Sequence, residues 1–253
     1  MLCGRLVSAP LVAGLLAASC VVAGAGEPRA LIELFTSQGC SSCPPADKLL
    51  GELAADPSLV ALSLPIDYWD YLGWKDTLAS PGHSARQRAY ARVRGDRQVY
   101  TPQIVVNGAV HVLGSDKAAV EHAIAQTDHN SAIMSVPVLL SVGGGQLNVK
   151  IAAGKEHLSG EVWLCPLTKA IPVEIGRGEN HGRMITYHDV VRGWLKLGDY
   201  SGSEETWTVP LTEIAGEQGD SVAVMVQQGT KEKPGIILGT AYAPIGRHAT
   251  EIR

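Results

Sequence analysis

ALIELFTSQGCSSCPPADKLLGELAA, residues 30–55, is the stretch on which the fold turns. Residues 30–36 form an apolar run with a single carboxylate, Glu33, and Ser37, Gln38 and Gly39 bound it, so it reads as a buried strand. Cys40 and Cys43 follow at once. Pro44 and Pro45 suit the first turn of a helix, where an amide N–H would have no partner in any case. From Ala46 the spacing of Leu49, Leu50 and Leu53 gives one apolar helical face running to about Ala55, and Asp56-Pro57 stops it. A dithiol at the mouth of a helix has a definite chemistry. The unpaired N–H groups and partial positive charge of the helix start stabilise a thiolate at Cys40, and Cys43 stands one turn inward to resolve the mixed disulfide that Cys40 forms.

Outward from that stretch, residues 59–67 (LVALSLPID) read as a second strand, and strand, helix, strand implies a right-handed crossover into a parallel sheet. An aromatic loop, residues 68–74, carries Trp69, Tyr71 and Trp74. These amphipathic rings are candidates either to roof the dithiol and touch substrate or to fill an interface. Residues 80–93 read as a helix whose basic face, with Arg86, Arg88, Arg92 and Arg94, is expected to be solvated. Strands at 103–107 and 109–113 meet at Asn107-Gly108, a type I′ hairpin signal, and Ser115 is the expected cap of a helix over 117–126.

Beyond Thr127 the pattern becomes short alternating runs, at 136–142, 147–152, 161–167, 205–209 and 221–228, separated by turn residues such as Gly143-Gly144-Gly145. That reads as an antiparallel β sandwich or part-barrel. The expected organisation is a leader over 1–25, a first domain over 30–128 and a β-rich domain over 131–253. In the leader, Arg5 precedes an apolar stretch over 11–22, and Ala23-Gly24-Ala25 offers the small residues of a cleavage site. Cys20, after Ala17-Ala18-Ser19, is the alternative site of a lipid anchor. The expectation is therefore an exported protein, periplasmic or extracellular, with no membrane span in its mature part.

Of five cysteines, Cys3 and Cys20 fall in the leader, which leaves Cys40, Cys43 and Cys165, an odd number and no disulfide framework. Cys165, in an apolar strand, is expected to be a buried small side chain. A net charge of -4 offers no basic field, so nucleic acid is not an expected partner. His181, His188 and Asp189 are near one another in sequence, but that proximity does not make a tetrahedral zinc site. No phosphate-cradling glycine loop, HExxH or Ser-His-Asp pattern supports a nucleotide-binding or hydrolase reading.

The order of elements over residues 30–126 resembles the thioredoxin superfamily, and Thr101-Pro102 stands where that family has a cis proline ahead of a core strand, facing the dithiol. The resemblance implies that the backbone of Thr101 pairs with a bound substrate strand, and that Glu33 takes the place of a buried carboxylate that moves a proton for Cys43. The other reading of Glu33 is an ion pair or a solvated position. Ser41-Ser42 between the cysteines and Gly39 in place of an aromatic depart from ordinary thioredoxins. SQGCSSCPPAD, IDYWDYLGW, QVYTPQIVVNG and RGENHGRMITYHDVVRGW together resemble the exported family called domain of unknown function 1223. The resulting expectation is a thioredoxin-like α/β domain followed by an antiparallel, sandwich-like β domain. Its activity would be thiol-disulfide exchange with partner proteins or small thiols, with Cys40 and Cys43 as the redox-active pair and no other cofactor. The alternatives are a copper-binding or metallochaperone-like module using the same two thiolates, and a non-catalytic partner-binding protein.

Overall fold

Residues 21–22, 27–155, 157–214 and 219–246 are described by the computed structural model. The leader lies outside the described residues except for β1 (Val21–Val22), so its cleavage site and Cys20 do too. The first half runs β2 (Ala30–Thr36), α1 (Pro44–Leu53), β3 (Leu59–Pro65), α2 (Pro81–Arg94), β4 (Gln103–Val106), β5 (Val110–Leu113) and α3 (Lys117–Thr127). The second runs β6 (Val138–Gly143), β7 (Gln146–Ile151), β8 (Gly160–Glu174), β9 (Met184–Val191), β10 (Leu195–Tyr200) and β11 (Glu205–Pro210). It closes with α4 (Leu211–Ile214), β12 (Ser221–Thr230) and β13 (Lys233–Pro244). No described helix is long and apolar enough to cross a membrane.

All seven side chains of β2 are buried, and its backbone is paired on both sides, parallel to β3 (Ile32 opposite Ala61) and antiparallel to β4 (Glu33 opposite Val105). Alternation along the strand sends Ile32 and Leu34 into a core with Leu50, Ile104 and Ile124, under α1 and α3. Leu31 and Phe35 go to the other face, with Tyr90, Met225 and Ile237. The β4–β5 hairpin turns at Asn107 and Gly108, whose φ values of 51° and 67° are both positive, as a type I′ turn requires. Helix α3 is capped by Asp116, whose carboxylate accepts from the Ala119 amide at 3.0 Å, and not by Ser115. An aspartate one residue closer to the first turn reaches the N3 amide that the serine cannot.

The expected fold class, a thioredoxin-like α/β arrangement followed by a sandwich-like antiparallel one, is overturned. A mixed nine-stranded sheet runs β13-β12-β8-β9-β3-β2-β4-β5, with β10 added on β8, and a second sheet of four strands runs β1-β6-β7-β11. Strand dominates the chain, and the large sheet draws on both halves. The physical reason lies at β3. Every residue of that strand is buried, so an open outer edge would leave its amides and carbonyls without partners. Strand β9 closes that edge in parallel, Ser63 opposite Val190, and brings β8, β12 and β13 with it. Strands β8 and β13 also run to 15 and 12 residues, where short sandwich strands were expected. A further apolar core, with Leu140, Val149, Leu164, Val224 and Leu238 among its members, lies between the two sheets.

Candidate redox site

Cys40 and Cys43 are joined in a disulfide with their Cα atoms 5.4 Å apart, in the loop between β2 and α1. Cys43 is the N-cap of α1 but already has helical angles (φ −78°, ψ −35°), and Pro44 and Pro45 occupy the first helical positions. Cys43 is fully buried; Cys40 keeps 4% of its surface. The Ser42 hydroxyl lies 3.4 Å from Cys40 Sγ, close enough to hydrogen-bond sulfur.

The Thr101–Pro102 peptide is cis, immediately before β4, and the pairing of Phe35 with Gln103 sets that turn beside the end of β2 from which the disulfide loop departs. Trp69 joins the two. Its indole N–H donates to Thr101 Oγ1 at 2.8 Å, and a side chain on Gly39 would begin 3.3 Å from Trp69 Cβ. Gly39 is thus small because an aromatic from the following loop occupies the space beside the first cysteine. Tyr71 stacks on Trp69 at 6.2 Å and is 77% exposed, so these two rings form an open shelf at the rim. Trp74 turns away from the shelf. Its indole donates to Gln38 Oε1 at 2.8 Å, its ring packs over Gly176, and its Cβ lies beside Gly178.

Glu33 is buried on the β2 face away from α1, in an ion pair with Arg86 (Nε to Oε1 2.5 Å, Nη2 to Oε2 3.1 Å), and accepts from Tyr90 Oη at 2.6 Å. Gln227 of β12 donates to the same Tyr90 hydroxyl at 2.8 Å. Arg86 accordingly leaves the expected solvated face of α2: it is 8% exposed and stacks 4.5 Å from the Trp194 ring. Cys165 is the free cysteine of the described residues, and burial pushes its thiol well up.

Asp47 is the acid that the sequence did not single out. It sits four residues after Cys43 on α1, so the two share one helical face with their Cβ atoms about 5–6 Å apart. Only 2% of its surface is exposed; one carboxylate oxygen accepts from Thr36 Oγ1 at 2.7 Å and the other has no partner. Burial drives its pKa up to about 8, with Asp76 adding like-charge repulsion. Burial likewise raises Asp76 to about 6, against the pull of amides that include Gln38 and Leu78. The Tyr187 hydroxyl, buried and unpaired, feels both carboxylates.

The loop that leads into β9 closes over the disulfide. Asn180, fully buried, donates from Nδ2 to the carbonyls of Gln38 (2.9 Å) and Cys40 (2.8 Å), and the exposed Glu179 accepts from the Ser41 amide at 3.3 Å. The neighbouring histidines do not join that contact. His181 is exposed in the loop, and His188 packs its ring over Gly51 of α1. Asp189 takes the opposite face of β9, in a left-handed conformation (φ 43°) with its pKa raised by burial to about 7. Among the described residues no group of three or more His, Cys, Asp or Glu side chains is placed to hold a metal ion. A cavity of about 460 Å³ opens at the far end of β3 beside Leu59, Leu139, Lys150, Asp189 and Tyr242, away from the sulfurs.

Residues 31–227 match the family described as "Protein of unknown function (DUF1223)". The chain belongs to that family. An X-ray crystal structure of a protein from Agrobacterium tumefaciens is 30% identical to this DUF1223 member and superposes with a TM-score of 0.79, over 90% of this chain and 99% of that one. HBP35 of Porphyromonas gingivalis shares the fold alone: 12% identity, TM-score 0.59, 90% of this chain and 79% of that one. No curated protein matches. The four stretches quoted above now have places in the DUF1223 fold. The cysteine loop holds the disulfide, Asn180 and Glu179 bond to that loop, Trp69 of the aromatic shelf lies beside Gly39, and the cis-proline turn stands beside the end of β2 from which the loop departs.

Proposed function

We propose that this protein is a thiol-disulfide oxidoreductase acting through Cys40 and Cys43. The observation that carries the reading is the disulfide at the start of α1, with Cys43 fully buried and Cys40 keeping 4% of its surface. In the reduced protein the Cys40 thiolate, aided by the helix start and the Ser42 hydroxyl, attacks one sulfur of a partner disulfide. A Cys40–partner bond forms, the partner's own S–S bond breaks, and the departing sulfur takes a proton. Cys43 then gives its proton to Asp47, attacks Cys40 Sγ and expels the second partner sulfur, which is protonated in turn. Two electrons and two protons pass to the partner, and the Cys40–Cys43 disulfide is left. A small thiol or a dithiol protein returns the pair to its reduced state by the same steps in reverse.

Asp47 suits the proton transfer better than Glu33. It is a turn away from Cys43 and has a free oxygen, and a pKa raised to about 8 makes its ionised form a base matched to a thiol, so the transfer should quicken as pH rises toward 8; both oxygens of Glu33 are engaged by Arg86 and Tyr90. On this reading Thr101, Pro102 and the Trp69–Tyr71 shelf receive an extended polypeptide, which the bond from Trp69 to Thr101 and the exposed, stacked Tyr71 support. Partner trapping tests the reading. Cys43→Ser should accumulate mixed disulfides with a disulfide-bonded protein substrate, Cys40→Ser should accumulate none, and trapping by neither variant would contradict it.

A further inference from the structure

We infer that Glu179 and Asn180 are positioning residues that set the redox poise of the Cys40–Cys43 pair, holding it more reducing than the cysteine loop alone would make it. The inference rests on the exchange reading above and deepens it.

Three contacts carry it. Asn180 pins the loop by both hydrogens of its amide, one to the carbonyl before the Gly39 turn and one to Cys40 itself. Fully buried, it cannot exchange those bonds for water. The loop that holds it is anchored in turn, because Gly176 and Gly178 pack against Trp74, whose indole is tied to Gln38. Within this fixed frame the Glu179 carboxylate accepts from the Ser41 amide, next to the sulfur that becomes anionic on reduction.

The Glu179 contact acts on the reduced state and spares the oxidised one. The Ser41 N–H belongs to the cysteine loop, two residues before the Cys43 N-cap and next to Cys40; free, it would lend its positive end to a Cys40 thiolate, and Glu179 engages it. The carboxylate also places a negative charge beside the developing one. A disulfide carries no charge, so the oxidised form is indifferent to it. Destabilising the thiolate favours the disulfide, which lowers the reduction potential. Ser42 works in the other direction through its hydroxyl at 3.4 Å, so the poise is a balance between a serine of the loop and a glutamate contributed from the second half of the chain.

Glu179→Gln separates charge from hydrogen bonding, since the amide oxygen can still accept from Ser41. In the mature protein equilibrated against reduced and oxidised glutathione, this variant should shift the equilibrium constant at least about threefold toward the dithiol, roughly 15 mV more oxidising when tenfold is about 30 mV. Because Glu179 is exposed, the shift should shrink in about 1 M salt. Glu179→Asp, which keeps the charge, should stay near wild type. A wild-type couple that Glu179→Gln leaves unmoved would overturn this inference and leave the exchange reading standing. Absence of any reversible couple in the wild type would overturn both.

Discussion

Asn180 reaches across 140 residues of sequence to donate a 2.8 Å hydrogen bond to the carbonyl of Cys40. That bond, with its twin to Gln38, ties the cysteine loop to the segment entering β9, the strand that closes the edge of β3. The cysteine loop and the second half of the chain are therefore one mechanical unit, and the β-rich half is part of the site it covers.

Asn180→Ala would leave the Gln38 carbonyl without its donor in a buried place and the Cys40 carbonyl with the Cys43 amide alone. A buried group left unsatisfied costs about 1–3 kcal/mol, so the variant should lose an amount on that order in urea unfolding. A loss under about 0.5 kcal/mol would mean that the clamp holds nothing.

Asp47 makes stability depend on pH with a definite sign. Its ordinary value is 3.8, and burial raises it to about 8 in the folded protein. Between those values the folded chain keeps a proton that the unfolded chain has released, so stability is whole below about pH 4 and is lost as pH rises toward 8. Asp76 (about 6) and Asp189 (about 7) act in the same direction. His83 opposes them at the acid end: buried and held near 4, it weakens the fold as pH drops below 6.5. Asp47→Asn should raise the melting temperature at pH 8, by an amount on the order of a few kcal/mol in stability, and change little at pH 4. An equal effect at both pH values would contradict this account of Asp47.

The same variant separates the two candidate acids. Asp47→Asn should slow resolution of the mixed disulfide about tenfold or more at pH 7, read as release of a labelled partner from Cys40, on the general scale of acid–base catalysis. Glu33→Gln, measured at a temperature where it remains folded, should leave that step near wild type. The reverse ranking would return the proton to Glu33.

Glu33 and Arg86 show their importance in folding. Arg86→Ala strands a buried carboxylate and should cost about 3–5 kcal/mol in denaturant unfolding. Replacing both, as Glu33→Leu with Arg86→Met, should cost much less, because no charge is then left unpaired. A double variant as unstable as Arg86→Ala would refute that explanation.

Local physics was legible in the sequence, and distant pairing was not. The run 30–36, the Pro44-Pro45 helix start and Asn107-Gly108 declare themselves within a few residues, and β2, α1 and the β4–β5 hairpin form accordingly. Nothing within 184–191 says that its partner is β3, more than a hundred positions back, so a continuous mixed sheet was read as two separate architectures. Asp47 was overlooked because an aspartate in a first helical turn usually faces water, and its burial depends on the strand end and on β9. Arg86 read as one of a basic row until Glu33, 53 residues away, gave it an interior partner. Glu179 and Asn180 lay inside a quoted stretch, RGENHG, with no local feature to say what they touch.

The central claim is a reversible dithiol, and its potential is the direct measurement. The protein, freed of metal, would be equilibrated with glutathione buffers and its free thiols counted. The account predicts one two-electron transition confined to Cys40 and Cys43, with a midpoint between about −270 and −120 mV and Cys165 silent throughout. A pair that stays oxidised at every glutathione ratio, or opens only when the protein unfolds, would contradict it and make the bridge structural.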